Sequence, residues 1–527
     1  MTLFNRLKRN CMVLLLAAGM LAGGVSAAHA IDFKAQGEWI VSFGLGDANF
    51  NDTSRTQKDD MFSAAQRIRL QLDAVASESL SGTVFFEIGQ QDWGNNTDSV
   101  GGALGADGVI VKVKNAYIDW LVPETDLRVR MGLQALALPN AAGGSAIMDG
   151  DVAAVTMNYK FTDNASLTAF WMRPANDNYQ GQNARDSRVH YLDNIDFFGL
   201  TVPLSFDGFE ITPWAMYGMI GRNALDDTNG WNQNFNASDG DMLNTLYAYL
   251  PGQGGFYRGF RKRDRAYADA WFFGLPIAVT ALDPINIEFD VNYGYVSGLG
   301  SVNAINYKNW ARFGQNASVV RADTKREGWL IKALVEYKMD WGVPGLFGWY
   351  SSGDDGDIKN GSERMPSISG SGNFTSFMGS AGTDFWADGT RGLFWENNMT
   401  YAGTWGVGLQ IRDMTFLEDL SHTFRIAYWG GTNSTDMVKY SGYSGAGSEV
   451  TFDGPYLTTN DGLLEFNLDN VYQVYENLAV NLDLGYIVNM MDRGTWARSW
   501  TKRGYADGEH FSSQDAWKAQ VSFVYSF

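Results

Sequence analysis

The sequence predicts an all-β protein, a transmembrane antiparallel up-and-down β-barrel of 16–18 strands, with 18 the preferred count. Three observations carry this: apolar and polar residues alternate with a period of two in many segments, the connections between those segments alternate short and long, and no apolar run after the leader is long enough to cross a bilayer as a helix.

The chain opens with Arg6, Lys8 and Arg9, then an apolar stretch from Met12 to Leu21, then small residues closing on Ala28-His29-Ala30. This is the pattern of a secretory leader, with cleavage expected after Ala30 and residues 31–527 forming a single barrel domain. Cys11 precedes the apolar stretch, so it is not placed for lipid attachment. It is the only cysteine, and its loss with the leader excludes a disulfide scaffold, a thiol enzyme or a zinc ribbon. Three basic residues and no acidic ones leave as well, so the formal charge of −19 becomes −22. An acidic balance of this size argues against nucleic acid as a partner.

Composition is rich in turn formers and aromatics, with 60 Gly, 24 Tyr, 32 Phe and 18 Trp against 11 Pro, yet mean hydropathy is only −0.22. A membrane barrel looks like this because only alternate residues of each strand need face hydrocarbon. In 477–487, Leu478, Val480, Leu482, Leu484 and Tyr486 share one face, and Asn477, Asn481, Asp483 and Gly485 the other. Ile285, Ile287, Phe289, Val291 and Tyr293 alternate in the same way with Asn286, Glu288, Asp290 and Asn292. Near the start, Phe33, Ala35, Trp39, Val41 and Phe43 alternate with Asp32, Lys34, Gln36, Glu38 and Ser42.

Short connections are expected near Ser77, Pro123 to Asp126, Thr162 to Ala165, Phe206 to Gly208, Asp283-Pro284, Gly342 to Pro344, Leu417 to Leu420 and Glu476. Long ones are expected near 46–60, 94–108, 139–150, 174–190, 222–265, 299–323, 354–397, 433–460 and 493–514. The alternation fits periplasmic turns and extracellular loops, with both chain ends periplasmic. A β-helix, propeller or soluble sandwich explains neither the two classes of connection nor the aromatic strand ends. As a set, Trp39, Trp120, Trp171, Trp214, Trp271, Trp329, Trp341, Trp405 and Trp517 are placed for interfacial girdles.

The last segment sets Trp517, Ala519, Val521, Phe523, Tyr525 and Phe527 on one face, against Lys518, Gln520, Ser522, Val524 and Ser526. Here the sequence resembles the outer-membrane porins, whose final strand ends in Phe and is recognised by the barrel-assembly machinery; Trp517, Phe523, Tyr525 and Phe527 carry that resemblance. The stretch Ile31-Asp32-Phe33-Lys34-Ala35-Gln36-Gly37-Glu38-Trp39, taken with Trp517-Lys518-Ala519-Gln520-Val521, is similar to the outer-membrane homotrimeric porins of sulfate-reducing bacteria. The resemblance implies a water-filled diffusion channel for small hydrophilic solutes and ions, a homotrimer, and contact with outer-membrane lipid and lipopolysaccharide.

Parity places Arg67 and Arg69, Lys112 and Lys114, and Arg128 and Arg130 on the water-facing side of three nearby strands. A cation facing lipid at mid-depth costs about 2 to 4 kcal/mol, so the six are expected to build a basic wall inside the barrel and to favour anions. In general porins such a wall faces acids on a loop folded into the pore. By that resemblance the third long connection, with Asp149 and nearby Asp151, is at the ordinal position expected of the constriction, and the longer segments after Met172 and Ile220 are the alternatives. The basic run Arg258, Arg261, Lys262, Arg263 and Arg265 reads equally as pore charge or as a loop that binds lipopolysaccharide phosphates or a neighbouring subunit.

An enzyme is not expected. His190, His422 and His510 are not placed to act together, and neither G-x-S-x-G on a strand-turn-helix, H-E-x-x-H nor a P-loop is present. No cofactor is expected; Asp354, Asp355 and Asp357 read as an acidic external loop able to touch divalent ions weakly. The competing expectation is a non-conducting structural or adhesin-type barrel that acts through long external loops such as 354–397.

Overall fold

In a computed structural model of the chain the described residues are 31–47, 51–52, 61–95, 102–105, 111–176, 191–222, 245–247, 257–262, 265–305, 319–377, 381–382, 385, 400–440, 450–451, 454–492, 494–496 and 512–527. The expected leader, 1–30, lies outside them.

Twenty paired segments form one closed antiparallel sheet, and because two strands are each split in two at a proline, the barrel has 18 strands. In chain order they are β1 Asp32–Asp47, β2 Met61–Ser77, β3 Leu80–Asp92, β4 Val111–Leu121, β5 Leu127–Ala137 and β6 Asp149–Thr162. Then come β7 Ala165–Asn176, β8 Asn194–Thr201 with Leu204–Phe206, β9 Phe209–Ile211 with Trp214–Gly221, β10 Tyr267–Val279, β11 Ile285–Val296 and β12 Arg326–Tyr337. The last six are β13 Val343–Ser351, β14 Thr404–Leu417, β15 Leu420–Gly431, β16 Gly462–Tyr475, β17 Leu478–Asn489 and β18 Ala516–Ser526. The splits fall at Pro203 and Pro213, which lack the donor the ladder needs; Val202 N donates across the gap to Pro213 O at 3.0 Å.

Each strand pairs with its sequence neighbour, and β1 also pairs with β18 over Glu38↔Ser526 to Asp47↔Trp517, which removes the free edges. Gly37 and Phe527 extend this seam with reciprocal backbone bonds of 2.8 and 3.0 Å. Parity runs as the sequence predicts: Phe33, Trp39, Leu482, Tyr486, Phe523 and Tyr525 are exposed on the outside, while Ser42, Asp483, Lys518, Gln520 and Ser522 are buried inside. Trp214 departs from the expected girdle. It points inward, 5% exposed, because Gly274 stands opposite it, where a Cβ would come within 2.3 Å of its ring nitrogen.

The interior is not empty. Residues 138–148 and 352–377 leave the rim and fold into the lumen, where they hydrogen-bond to each other: Ile368 N to Ile147 O (2.8 Å), Ser371 N to Ser145 O (2.7 Å) and Asn373 N to Gly143 O (3.1 Å). Gly143 and Gly144 both have positive φ, and a Cβ on Gly144 would lie 2.3 Å from Ser371 O, so this close approach requires glycine. Ile147, Met148, Met365, Ile368 and Phe374 from the two segments are buried with inward-facing Phe272, Phe347, Trp349 and Trp429. Burying each such side chain contributes about 1.5 to 3 kcal/mol. The segment near 354–397, expected as an external loop, is therefore internal over its described first half. The long connections 222–265 and 299–323 contribute a three-stranded sheet of Tyr257–Lys262, Gly300–Ile305 and Val319–Asp323.

A Cβ at Gly37 would lie 2.5 Å from Arg69 O and 2.6 Å from the Phe527 ring. Gly37→Leu is accordingly expected to destabilise the seam by about 1 to 3 kcal/mol, read as a lower midpoint for loss of the heat-modifiable folded band on gels. A wild-type midpoint would contradict this account of closure.

Candidate functional site

The inserted chain is held by buried charges on inward rows of the far wall. Asp290 on β11 and Lys332 on β12 are neighbours by register, are both 0% exposed, and lie 3.7 Å apart. Asp290 Oδ2 accepts the amides of Ala141 (2.9 Å) and Ala142 (2.6 Å), and Lys332 Nζ donates to Gly144 O. Tyr401 Oη donates to Gly143 O at 2.7 Å and accepts Phe374 N at 3.2 Å, joining both segments at one phenol.

A second clamp lies on β15–β18. Glu465 accepts Phe377 N (2.8 Å), Asn467 Oδ1 accepts Ser376 N (3.1 Å), and Lys518 Nζ donates to Ser376 O (2.8 Å). Arg425 pairs with Asp469 beside them. On β12, Arg326 donates to Arg364 O (3.1 Å) and Met365 O (2.7 Å). The ordinary lipid-avoidance argument puts such charges inside; what the period alone could not tell is that inserted backbone, rather than water, solvates them.

On the other side of the lumen, β1–β5 present a row of charges that, Arg67 apart, is accessible to water. Arg69 Nε donates to Glu87 Oε2 at 3.1 Å, Lys112 Nζ lies 3.5 Å from Glu87 Oε1, and Arg130 forms a two-pronged bond to Asp119 of 2.9 and 2.6 Å while its guanidinium sits 4.1 Å from the centre of the Tyr117 ring. Arg67 Nη2 is 3.6 Å from Glu38 Oε1. Arg128 is exposed and has no ion pair among the described residues. Lys34, not singled out by the sequence reading, joins the same rows opposite Asp73, and Asp73 accepts from Thr83 (2.6 Å) and Gln71 (3.0 Å). The wall is thus interleaved, with Glu38, Asp73, Glu87 and Asp119 between the cations.

Three expected site residues are placed differently. A bulge where Phe85 and Phe86 face Asn115 and Val113 breaks the parity of β4, so Lys114 does not continue the row of Lys112 and instead pairs with Asp151. Asp149 and Asp151 are opposite Ala137 and Ala135, on the outward rows that continue through exposed Met157 and Tyr159. They are rim carboxylates, and Asn115 Nδ2 donates to Asp151 at 2.7 Å. The third long connection enters the lumen, but it carries no acid between 138 and 148. Of the basic run, Arg258, Arg261 and Lys262 are on a rim strand with side chains outside those described, Arg263 is outside the described residues, and Arg265 is exposed just before β10. His190 and His510 also lie outside; His422 Nδ1 is 2.6 Å from Asn470 Oδ1 on the outer face.

At the outer end of the inserted chain, Glu363 accepts Asp355 N at 3.1 Å. Burial, with Asp354 and Asp355 beside it, raises the Glu363 carboxyl from 4.5 to about 7. A raised carboxyl means that the folded form holds a proton the unfolded chain has released, so the contribution is full below the ordinary value and is lost as pH rises through about 7.

Two outcomes are expected. Lys332→Met leaves Asp290 without its buried counter-charge at a cost of about 3 to 5 kcal/mol, seen as a lower thermal midpoint and faster proteolysis within 138–148; wild-type resistance would contradict the clamp. Exchange protection of the Ser362 and Asp323 amides, which bond Lys325 O and Ile358 O, should fall between about pH 5 and about pH 8 after correction for intrinsic exchange. Glu363→Gln should remove that fall, and an unchanged pH dependence in the variant would count against the assignment.

No protein-family model and no curated protein matches the sequence. Among solved structures, OccAB3 of Acinetobacter baumannii is similar at 11% identity and TM-score 0.47, over 94% of this chain and 99% of that one. OpdQ of Pseudomonas aeruginosa is similar at 11% and 0.47, over 94% and 98%, and the outer membrane protein OpdK of Pseudomonas aeruginosa at 9% and 0.47, over 94% and 99%.

Proposed function

We propose that this chain is an outer-membrane diffusion channel, a porin, that passes small hydrophilic solutes and ions and favours anions. The observation that carries the reading is the asymmetry of the lumen: inserted chain packs against the inward rows of β9–β18, whereas the charged rows of β1–β5 keep contact with water. Among the described residues, four ion pairs lie on that wall, and in three of them the cation reaches further into solvent than its acid. Lys112 is 56% exposed against 17% for Glu87, and Arg130 33% against 20% for Asp119. Arg69 follows the same order. A solute moving along the wall therefore meets guanidinium and ammonium groups first, and water-excluding walls strengthen the field they make.

The exposed apolar outer rows suit outer-membrane lipid, with lipopolysaccharide at the rim, and the Phe-ending last strand suits the barrel-assembly machinery. A homotrimer is part of this proposal, as the similarity of the two chain ends implies. The competing reading, an adhesin-type barrel, draws its support from the length of the segment beginning at 354; its described part, 354–377, packs inside the lumen and so is not an external loop.

Purified protein in planar bilayers should conduct, and in a salt gradient its reversal potential should favour the anion. Replacing Arg128 and Arg130 with Ala should weaken that preference. A cation preference in the wild type, unchanged by the two replacements, would defeat the anion reading, and a silent bilayer would favour the non-conducting barrel.

A further inference from the structure

One cation of the wall breaks the pattern. Arg67 shares its rows with Arg69 by register on β2, yet the residue is only 7% exposed, and in its pair with Glu38 the acid is the more accessible partner, 36% against 8%. An aromatic ring lies over it. The Phe385 ring centre lies 4.8 Å from the Arg67 guanidinium carbon. Phe385 is 2% exposed and packs with Ile40 and Ala65, which flank Arg67 on β1 and β2. The backbone is fixed as well: Gln520 Nε2 on β18 donates to Phe385 O at 2.7 Å, two residues along β18 from the Lys518 bond to Ser376 O. The described inserted residues thus reach from Ser376, held by Lys518 on β18, to Phe385, whose ring lies on the basic wall at β2.

We infer that Phe385 is a specificity-determining residue of the channel, one that sets the charge of the passage by masking Arg67. This rests on the channel reading above. A guanidinium under a ring is attracted to the ring face and loses the water through which a passing anion would reach it. Glu38, left as the accessible member of the pair, then contributes negative charge at this level, and the wall presents one cation fewer than its sequence holds. Phe385 therefore tempers the preference that Lys112, Arg128 and Arg130 set up.

The test is bilayer recording of the wild type, Phe385→Ala, Phe385→Tyr and the double variant Phe385→Ala/Arg67→Gln. Phe385→Ala should raise the chloride-to-potassium permeability ratio about twofold or more, and Phe385→Tyr, which keeps the ring, should restore the wild-type ratio. In the double variant the ratio should fall back while any rise in conductance from the smaller side chain persists, because space and charge are separable there. A conducting wild type whose ratio is unmoved by Phe385→Ala, or a rise that survives Arg67→Gln, overturns this assignment alone. A wild type that passes no current overturns the channel reading and the assignment with it.

Discussion

The constraint on which everything else depends is the closed hydrogen-bond ladder. A sheet whose outer face is Trp, Leu, Phe and Val cannot leave a row of unpaired amides and carbonyls at an edge, since each such group in hydrocarbon costs several kcal/mol. Pairing of β1 with β18, extended by Gly37 and Phe527, removes the edge. Once the ladder is closed with 18 strands, the period of two assigns every side chain to oil or to lumen, and a lumen of this width is too large for side chains alone to fill.

The chain fills part of that lumen with itself. Segments 138–148 and 352–377 enter it, and their backbone groups need partners that the apolar inward residues cannot supply. Asp290, Lys332, Tyr401, Glu465, Asn467 and Lys518 supply them, so these polar and charged groups are structural. Among the described residues, the inserted chain reaches the charges of β1–β5 at Phe385, over Arg67, and Arg69, Lys112, Arg128 and Arg130 stay accessible to water. The same residue types thus serve two ends, decided by which wall the inserted chain reaches.

Much of this was legible in the sequence. The alternation at 285–295, 477–487 and 517–527 placed its residues on the correct faces, and the turn at Asp283-Pro284 was marked by its own chemistry. Lys114 was not legible, because a bulge in β4 depends on how β3 pairs with it, and one extra residue reverses parity. Trp214 was misplaced for a related reason: room for an inward indole is made by Gly274 on the neighbouring strand. The inserted segments left a trace that composition alone did not reveal. Residues 138–148 hold no charge and carry the Gly143-Gly144 doublet, and Phe374, Phe377 and Phe385 are spaced through a Gly- and Ser-rich stretch that otherwise reads as an external loop.

The central claim is that water and solute pass along the inward rows of β1–β5. Gln71 stands on those rows and Leu72 on the outer face, and the barrel has no cysteine of its own. Single cysteines at the two positions, exposed to a charged thiol reagent during bilayer recording, test the claim most directly. The account predicts that Gln71→Cys is modified with a step loss of current and that Leu72→Cys conducts unchanged. An unreactive Gln71→Cys in a conducting channel, or equal block at both positions, would contradict it.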